Sequence, residues 1–177
     1  VPMFFVFGTT SYAQEVSLNP KTLESINVNI QEVTYKSKNA IRLTESSQAV
    51  ENIAIINDLQ FMDGTITAEL AGTTLPNVNP TFRGFIGVAF RVKKGDTIRY
   101  DCFYLRPTNG RADDQVRRNH STQYIAHPEY PWQRLRKEFP SMYESYVDLV
   151  DGEWTKIKIE VKGKQAKLFV HDSAQPS

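Results

Sequence analysis

Apolar and polar residues alternate along most of this chain with a period of two. Ile26, Val28 and Ile30 are separated by Asn27, Asn29 and Gln31, and Ile41 and Leu43 repeat the pattern between Asn39 and Thr44. Such alternation sends every second side chain to one face of a sheet, so one face is buried and the other is wet. Ile53 to Ile56 is a short apolar run closed by Asn57-Asp58. After the turn signal Met62-Asp63-Gly64, Ile66, Ala68 and Leu70 alternate with Thr67 and Glu69. Arg83 to Val92 predicts a strand with Ile86, Val88, Phe90 and Val92 on one face, where Gly84 and Gly87 mark close backbone approach. Lys94-Gly95-Asp96 turns it into Ile98 to Leu105, rich in aromatic and β-branched residues, to make a hairpin. Tyr143 to Leu149 and Trp154 to Lys162 predict further strands, and Gly163-Lys164 leads into Ala166 to Val170. Trp132, Leu135 and Phe139 lie at helical spacing, which predicts a short helix within Pro131 to Phe139. Many short strands between regular turn signals predict an all-β antiparallel sandwich of the jelly-roll kind.

The bulk composition narrows this picture. A chain of 177 residues suffices for one domain with its own core, and 40% hydrophobic with 23% charged residues excludes disorder. The net charge of +1 is too small for a nucleic-acid-binding domain. Cys102 is the only cysteine, so no internal disulfide forms, and its aromatic neighbours predict a buried strand position. Val1-Pro-Met-Phe-Phe-Val-Phe-Gly8, followed by small and polar residues to Ala13, reads as the apolar region and cleavage site of a secretory signal. The expectation is a leader remnant over 1–13, one domain over 14–177, and a secreted or periplasmic location. No other segment approaches the ~18 apolar residues needed to cross a membrane. Ser177 follows directly on a predicted strand, so the sheet is expected to continue beyond it.

One window departs from the strand pattern. Between Arg106 and Tyr146 the chain is polar and aromatic, and it holds six of the ten arginines but only Lys137 of the eleven lysines between Arg106 and Lys137. Arginine's planar fork suits bidentate contacts and ring stacking, so the choice of cation predicts recognition by a long functional loop. Asp113, Asp114, Glu129 and Glu138 are interleaved with the arginines, which fits a polar ligand better than a phosphate-tracking groove. Arg117-Arg118-Asn119-His120 is a dense donor cluster, and His120 can exchange protons near neutral pH. The alternative is that Arg117 and Arg118 pair with Asp113 and Asp114 and staple the loop to the sheet. If 143–149 is a strand, Glu144, Tyr146 and Asp148 project from one face while Val147 and Leu149 enter the core. That face is either a carboxylate pair for acid–base work or a solvated surface. No cofactor is expected; Asp113-Asp114 is a candidate for calcium with backbone carbonyls, but the EF-hand pattern is absent. His120 and His127 lack the partners of a zinc site, and no phosphate loop, nucleophile elbow or dinucleotide fingerprint occurs.

Asp151-Gly-Glu-Trp-Thr-Lys-Ile-Lys-Ile-Glu-Val-Lys-Gly-Lys-Gln-Ala-Lys-Leu-Phe-Val170 resembles the hairpin of laminin-G and concanavalin-like jelly rolls. Together with Gly84-Phe-Ile-Gly-Val-Ala-Phe-Arg91, it makes the chain similar to bacterial 3-keto-disaccharide hydrolase domains between Ser25 and Asp172. The resemblance implies a concanavalin-like jelly roll and a carbohydrate partner. The Glu-x-Asp-x-(x)-Glu strand of the retaining glucanases is absent; Glu144-Ser-Tyr-Val-Asp148 has a different spacing. The resulting expectation is a secreted domain that binds, and if catalytic hydrolyses, a glycan or modified disaccharide. In it Arg106, Asn109, Arg111, Arg117 and Arg118 fix the ligand, and Tyr124, Trp132 and Tyr146 contact its rings. His120, Glu144 and Asp148 are the candidate proton-transfer groups of a glycoside hydrolase. The alternative is a non-catalytic carbohydrate-binding module or a structural surface-adhesion module.

Overall fold

A computed structural model describes residues 14–46, 51–76 and 81–177. The expected leader and its cleavage point at Ala13 lie outside the described residues. The chain divides into two compact units, one ending at Leu59 and the other running from Gln60 to Ser177.

The first unit contains β1 (Leu23–Ile26), β2 (Val28–Tyr35), β3 (Lys38–Glu45) and β4 (Ile53–Ile56). β1 pairs antiparallel with β4, and β2 pairs antiparallel with β3. The alternation through Ile26, Val28 and Ile30 predicts one continuous strand, but the chain breaks between β1 and β2. Asn27 takes a left-handed φ of 55° there, and its Nδ2 donates to the Glu51 carbonyl at 2.8 Å. Asparagine tolerates this conformation better than other side chains, which is why the break falls on it.

The second unit is an antiparallel β-sandwich. Its strands are β5 (Gly64–Leu70), β6 (Ile86–Lys93), β7 (Arg99–Leu105), β8 (Thr122–His127), β9 (Glu144–Ser145), β10 (Thr155–Lys162) and β11 (Gln165–Val170). One sheet has the order β11-β10-β5 and the other β6-β7-β8-β9. Ile159 stands opposite Leu168 on one side and Ile66 on the other, so the alternating apolar residues of all three strands share one face. That face meets Phe90 and Leu105 of the second sheet, with Leu149 completing a core that includes Ile157, Val161 and Val170. Lys156, Lys162 and Glu69 take the opposite, wet side. At Gly87 in β6, any Cβ would overlap the Phe103 carbonyl and Tyr104, which accounts for the glycine expected at a close approach. Cys102 lies in β7; part of the residue is open, but burial first, with Asp101 second, pushes its thiol up to about 12.

Two predictions about the polar window are corrected. It is not an excursion beyond the sheet, because its middle is β8, hydrogen-bonded along its length to β7. The strand expected over Tyr143 to Leu149 pairs only at Glu144 and Ser145. Beyond Ser145 the in–out alternation persists without a ladder: Val147 and Leu149 pack on the core while Tyr146 and Asp148 are exposed. Two short helices flank β8, α1 (Gln115–Arg118) and α2 (Trp132–Glu138). The second matches the predicted spacing, with Leu135 2% exposed as its buried residue.

Candidate functional site

The site grows out of one polar row on the face of the four-stranded sheet that turns away from the core. Register places Gln123 opposite Tyr104 on one side and Glu144 on the other. Arg106, the residue after β7, lays its guanidinium over the Tyr104 ring at 5.0 Å. Its Nη2 donates to the Tyr104 hydroxyl at 2.9 Å and to Gln123 Oε1 at 3.0 Å. Its Nη1 donates to the His120 carbonyl at 3.0 Å and to Glu144 Oε1 at 3.1 Å. Burial pushes the Tyr104 hydroxyl up to about 12 against the pull of Arg106. Gln123 can be buried because these partners replace water, as the Arg118 carbonyl does for Ser121 and Ser145 for Thr122.

Glu144 is the hub. Its side chain is only 3% exposed, and Arg136 of α2 grips it through Nε to Oε2 at 2.9 Å and through Nη2 to Oε1. Burial works against the charge, but Arg136 first, then His120 and Arg106, outweigh it and hold the carboxyl below its usual range. His120 Nδ1 lies 3.1 Å from Glu144 Oε2. The contact is close but poorly aligned, so Nδ1 is buried without a well-formed hydrogen bond. Desolvation lowers the His120 pKa; Glu144 pulls it up, and Arg136 and Arg106 push it down. The imidazole is therefore neutral at pH 7, and a carboxylate beside Nδ1 favours the tautomer that keeps the proton there and a lone pair on Nε2.

His120 and Glu144 line a half-open hollow of about 190 Å³, together with Asn119, Ser141, Ser145 and Tyr146. Tyr146 is 52% exposed on its wall. Ser141 takes φ 63° in the turn between Phe139 and Met142 that places it there. Three of the residues expected from sequence, His120, Glu144 and Tyr146, thus meet at one cavity, and Arg106 stands directly behind it.

The remaining expected residues lie elsewhere. Arg111 and Asp148 form an exposed bidentate pair, Nε to Oδ1 at 2.8 Å and Nη2 to Oδ2 at 2.9 Å, and Asp148 is not among the residues that line the hollow with Glu144. Ladder pairing ends at Ser145, so Asp148 is held by Arg111 and not by a neighbouring strand. Arg117 donates through Nε to Asn109 Oδ1 at 2.9 Å and through Nη2 to the Thr108 carbonyl at 3.1 Å. Arg118 Nη1 donates to the carbonyls of Ala112 at 2.6 Å and Asp113 at 2.8 Å. Both arginines thus bond neutral oxygens of their own loop, and neither forms the expected pair with the carboxylates of Asp113 and Asp114. Asp114 instead caps α1, accepting from Val116 N at 2.8 Å and Arg117 N at 3.3 Å. Gly110 presses against Leu149, where any Cβ would overlap the Leu149 backbone. Tyr124 packs between Phe103 and Tyr143 and donates to Asp101 Oδ1 at 2.6 Å. Trp132 is 38% exposed, with the Arg136 guanidinium stacked 4.7 Å from its ring.

Sequence reasoning passed over Tyr104, Gln123, Arg136 and Ser141. Arg136 stands eight residues before Glu144, with no periodic signal linking a helix to the strand it braces. Tyr104 and Gln123 read as ordinary strand residues until the register sets them beside Glu144. Among the described residues no group of three or more His, Cys, Asp or Glu side chains is placed to hold a metal ion, and no helix is long and apolar enough to cross a membrane. Comparison with models of protein families, with curated proteins and with solved structures returns no match.

Proposed function

We propose that the sandwich from Gln60 to Ser177 is a carbohydrate-binding module of the concanavalin-like jelly-roll type, taking a hydroxyl-rich ligand at the hollow of His120, Glu144 and Tyr146. The observation that carries this reading is the character of that hollow: fixed hydrogen-bonding side chains on its wall with an exposed tyrosine among them. A sugar ring offers hydroxyls to the first and a flat C–H face to the second. About 190 Å³ suits one ring at the end of a glycan better than a long bound chain.

Binding is favoured over two-carboxylate hydrolysis by the protonation of the candidate acids. A general acid needs its pKa raised toward neutrality. Glu144 is held lower by Arg136, and Asp148 is held lower by its hydrogen bonds from Arg111. Neither carries a proton at pH 7. One arrangement favours a second reading, proton abstraction from the bound sugar: a neutral imidazole whose Nδ1 lies 3.1 Å from a carboxylate is a candidate general base.

Titration of the full chain against a glycan panel, with product analysis, tests both. Binding without new products is expected, and His120→Ala and Tyr146→Ala should each weaken it about tenfold or more. Failure of every glycan to bind, or unchanged affinity in the double variant, overturns the proposal. Products that appear with the wild type and vanish with His120→Ala establish the second reading.

A further inference from the structure

The arginines linked to Glu144 and His120 of the hollow, none of them in its lining, outnumber the carboxylates that answer them. Arg106, Arg117 and Arg136 form one linked set: Arg106 and Arg136 both donate to Glu144, while Asn109 joins Arg117 to the His120 carbonyl that Arg106 also reaches. Against these three positive charges stands one carboxylate, Glu144, because the partners of Arg117 are the neutral oxygens of Asn109 and Thr108. Three less one leaves two positive charges in surplus, and His120 adds none while neutral. Arg83 reports the same field: after its own burial, Arg117 and Arg106 lower its pKa.

Within this set Arg136 is built to receive an anion. Its guanidinium is oriented by the paired contacts to Glu144 and by stacking on Trp132 at 4.7 Å. Nε and Nη2 are committed to Glu144, and Nη1 has no partner among the described residues. The side chain is 37% exposed, and its contacts to Glu144 and Trp132 set its orientation before any ligand arrives. A planar fork with an open edge suits a ligand carboxylate. Lysine, plentiful elsewhere in the chain, could not be held this way.

The geometry points to an acidic sugar, a uronic acid residue whose carboxylate is taken by Arg136 while its ring occupies the hollow beside Tyr146. This rests on the carbohydrate reading above and narrows it from any glycan to a carboxylated one.

The test titrates the full chain with short oligouronates (pectate, alginate and glucuronate-containing trimers) and with the methyl esters of the same trimers, which keep the shape and lose the charge. The acid of at least one pair is expected to bind about ten- to a hundredfold tighter than its ester, the usual worth of one charge-assisted hydrogen bond. Its affinity should fall as salt rises from about 0.05 M to about 0.5 M, while that of the ester stays level. Arg136→Gln should bring the two affinities together, with far-UV circular dichroism confirming the fold. The comparison of acid with ester uses the wild-type chain and so decides the matter even if the variant fails to fold. Equal binding of acid and ester, or binding of neutral glycans alone, overturns the acidic-sugar inference and leaves the carbohydrate reading standing. If no saccharide of either kind binds, both fall.

Discussion

The three-stranded sheet of β5, β10 and β11 and the segment from Arg106 to Leu149 border the same core but are held by different forces. In the first, Ile157, Ile159, Val161 and Leu168 are buried and the charged residues between them stay wet. Its stability comes from apolar area removed from water, a non-directional force that any well-shaped hydrophobe supplies. In the second, Arg106, Asn109, Ser121, Thr122 and Gln123 are buried and held by directed hydrogen bonds, among which Arg106 joins Gln123 and the His120 carbonyl to Glu144. There each group depends on its partners, so removal of one strands the rest. The difference teaches how the candidate site is supported. A hydrophobic wall provides rigidity, and a polar network built on it holds an oriented imidazole and a guanidinium at the surface.

The comparison can be broken most directly at its hub. Glu144→Ala leaves the Arg106 charge buried and unanswered and should destabilise the sandwich by about 3–5 kcal/mol in denaturant unfolding. Replacing both partners, Arg106→Met with Glu144→Leu, should recover much of that loss; a double variant as unstable as the sum of the singles would mean the network is not a unit. On the hydrophobic side, Ile159→Ala should cost about 2–5 kcal/mol through the cavity it opens, since Ile159 is 0% exposed. That loss should be independent of pH.

The polar side, by contrast, should respond to acid. The folded pKa of Glu144 lies below its ordinary 4.5, so on acidification the unfolded chain takes up the proton first. Its contribution is intact above pH 4.5 and is lost as pH falls through the folded value. His120 adds an earlier decline, because its folded pKa lies below the ordinary 6.5 and the unfolded imidazole again protonates first. Thermal melts of wild type between pH 7 and pH 3 should show both limbs, and Glu144→Gln should flatten the lower one. The smallest effect belongs to Arg111→Ala. That pair is open to solvent, with side chains 64% and 53% exposed, and its loss should leave the melting temperature unchanged.

The strands that were legible in advance are those where burial and pairing coincide. β5, β10 and β11 alternate cleanly, and their registers put the apolar set on one face. The helix at Trp132–Glu138 was equally readable, because Leu135 and its neighbours repeat at the helical period. β8 was not, since Thr122 and Gln123 are polar yet buried, and hydrophobicity cannot signal a position whose partner is a guanidinium. The segment 146–149 misled in the opposite sense: its alternation is real, but it records which side chains face the core and says nothing about a hydrogen-bonded neighbour. The arginine-rich window was visible as chemistry, and three of its candidate residues, His120, Glu144 and Tyr146, line one hollow. Arg136 was missed because what makes it important is a contact between separate elements.

Residue order alone determined that this chain would build antiparallel sheets over an aliphatic core, because a period of two admits one efficient way to hide apolar side chains. It also determined that six of the ten arginines would gather in a single stretch. Tertiary structure decided which of them meet. Glu144 became the centre of the site because strand pairing set it beside Gln123 and a separate helix delivered Arg136. Asp148, four residues further, was left at the surface with Arg111. Local sequence carries periodicity, whereas the partner of a buried charge is fixed only when distant segments close upon it.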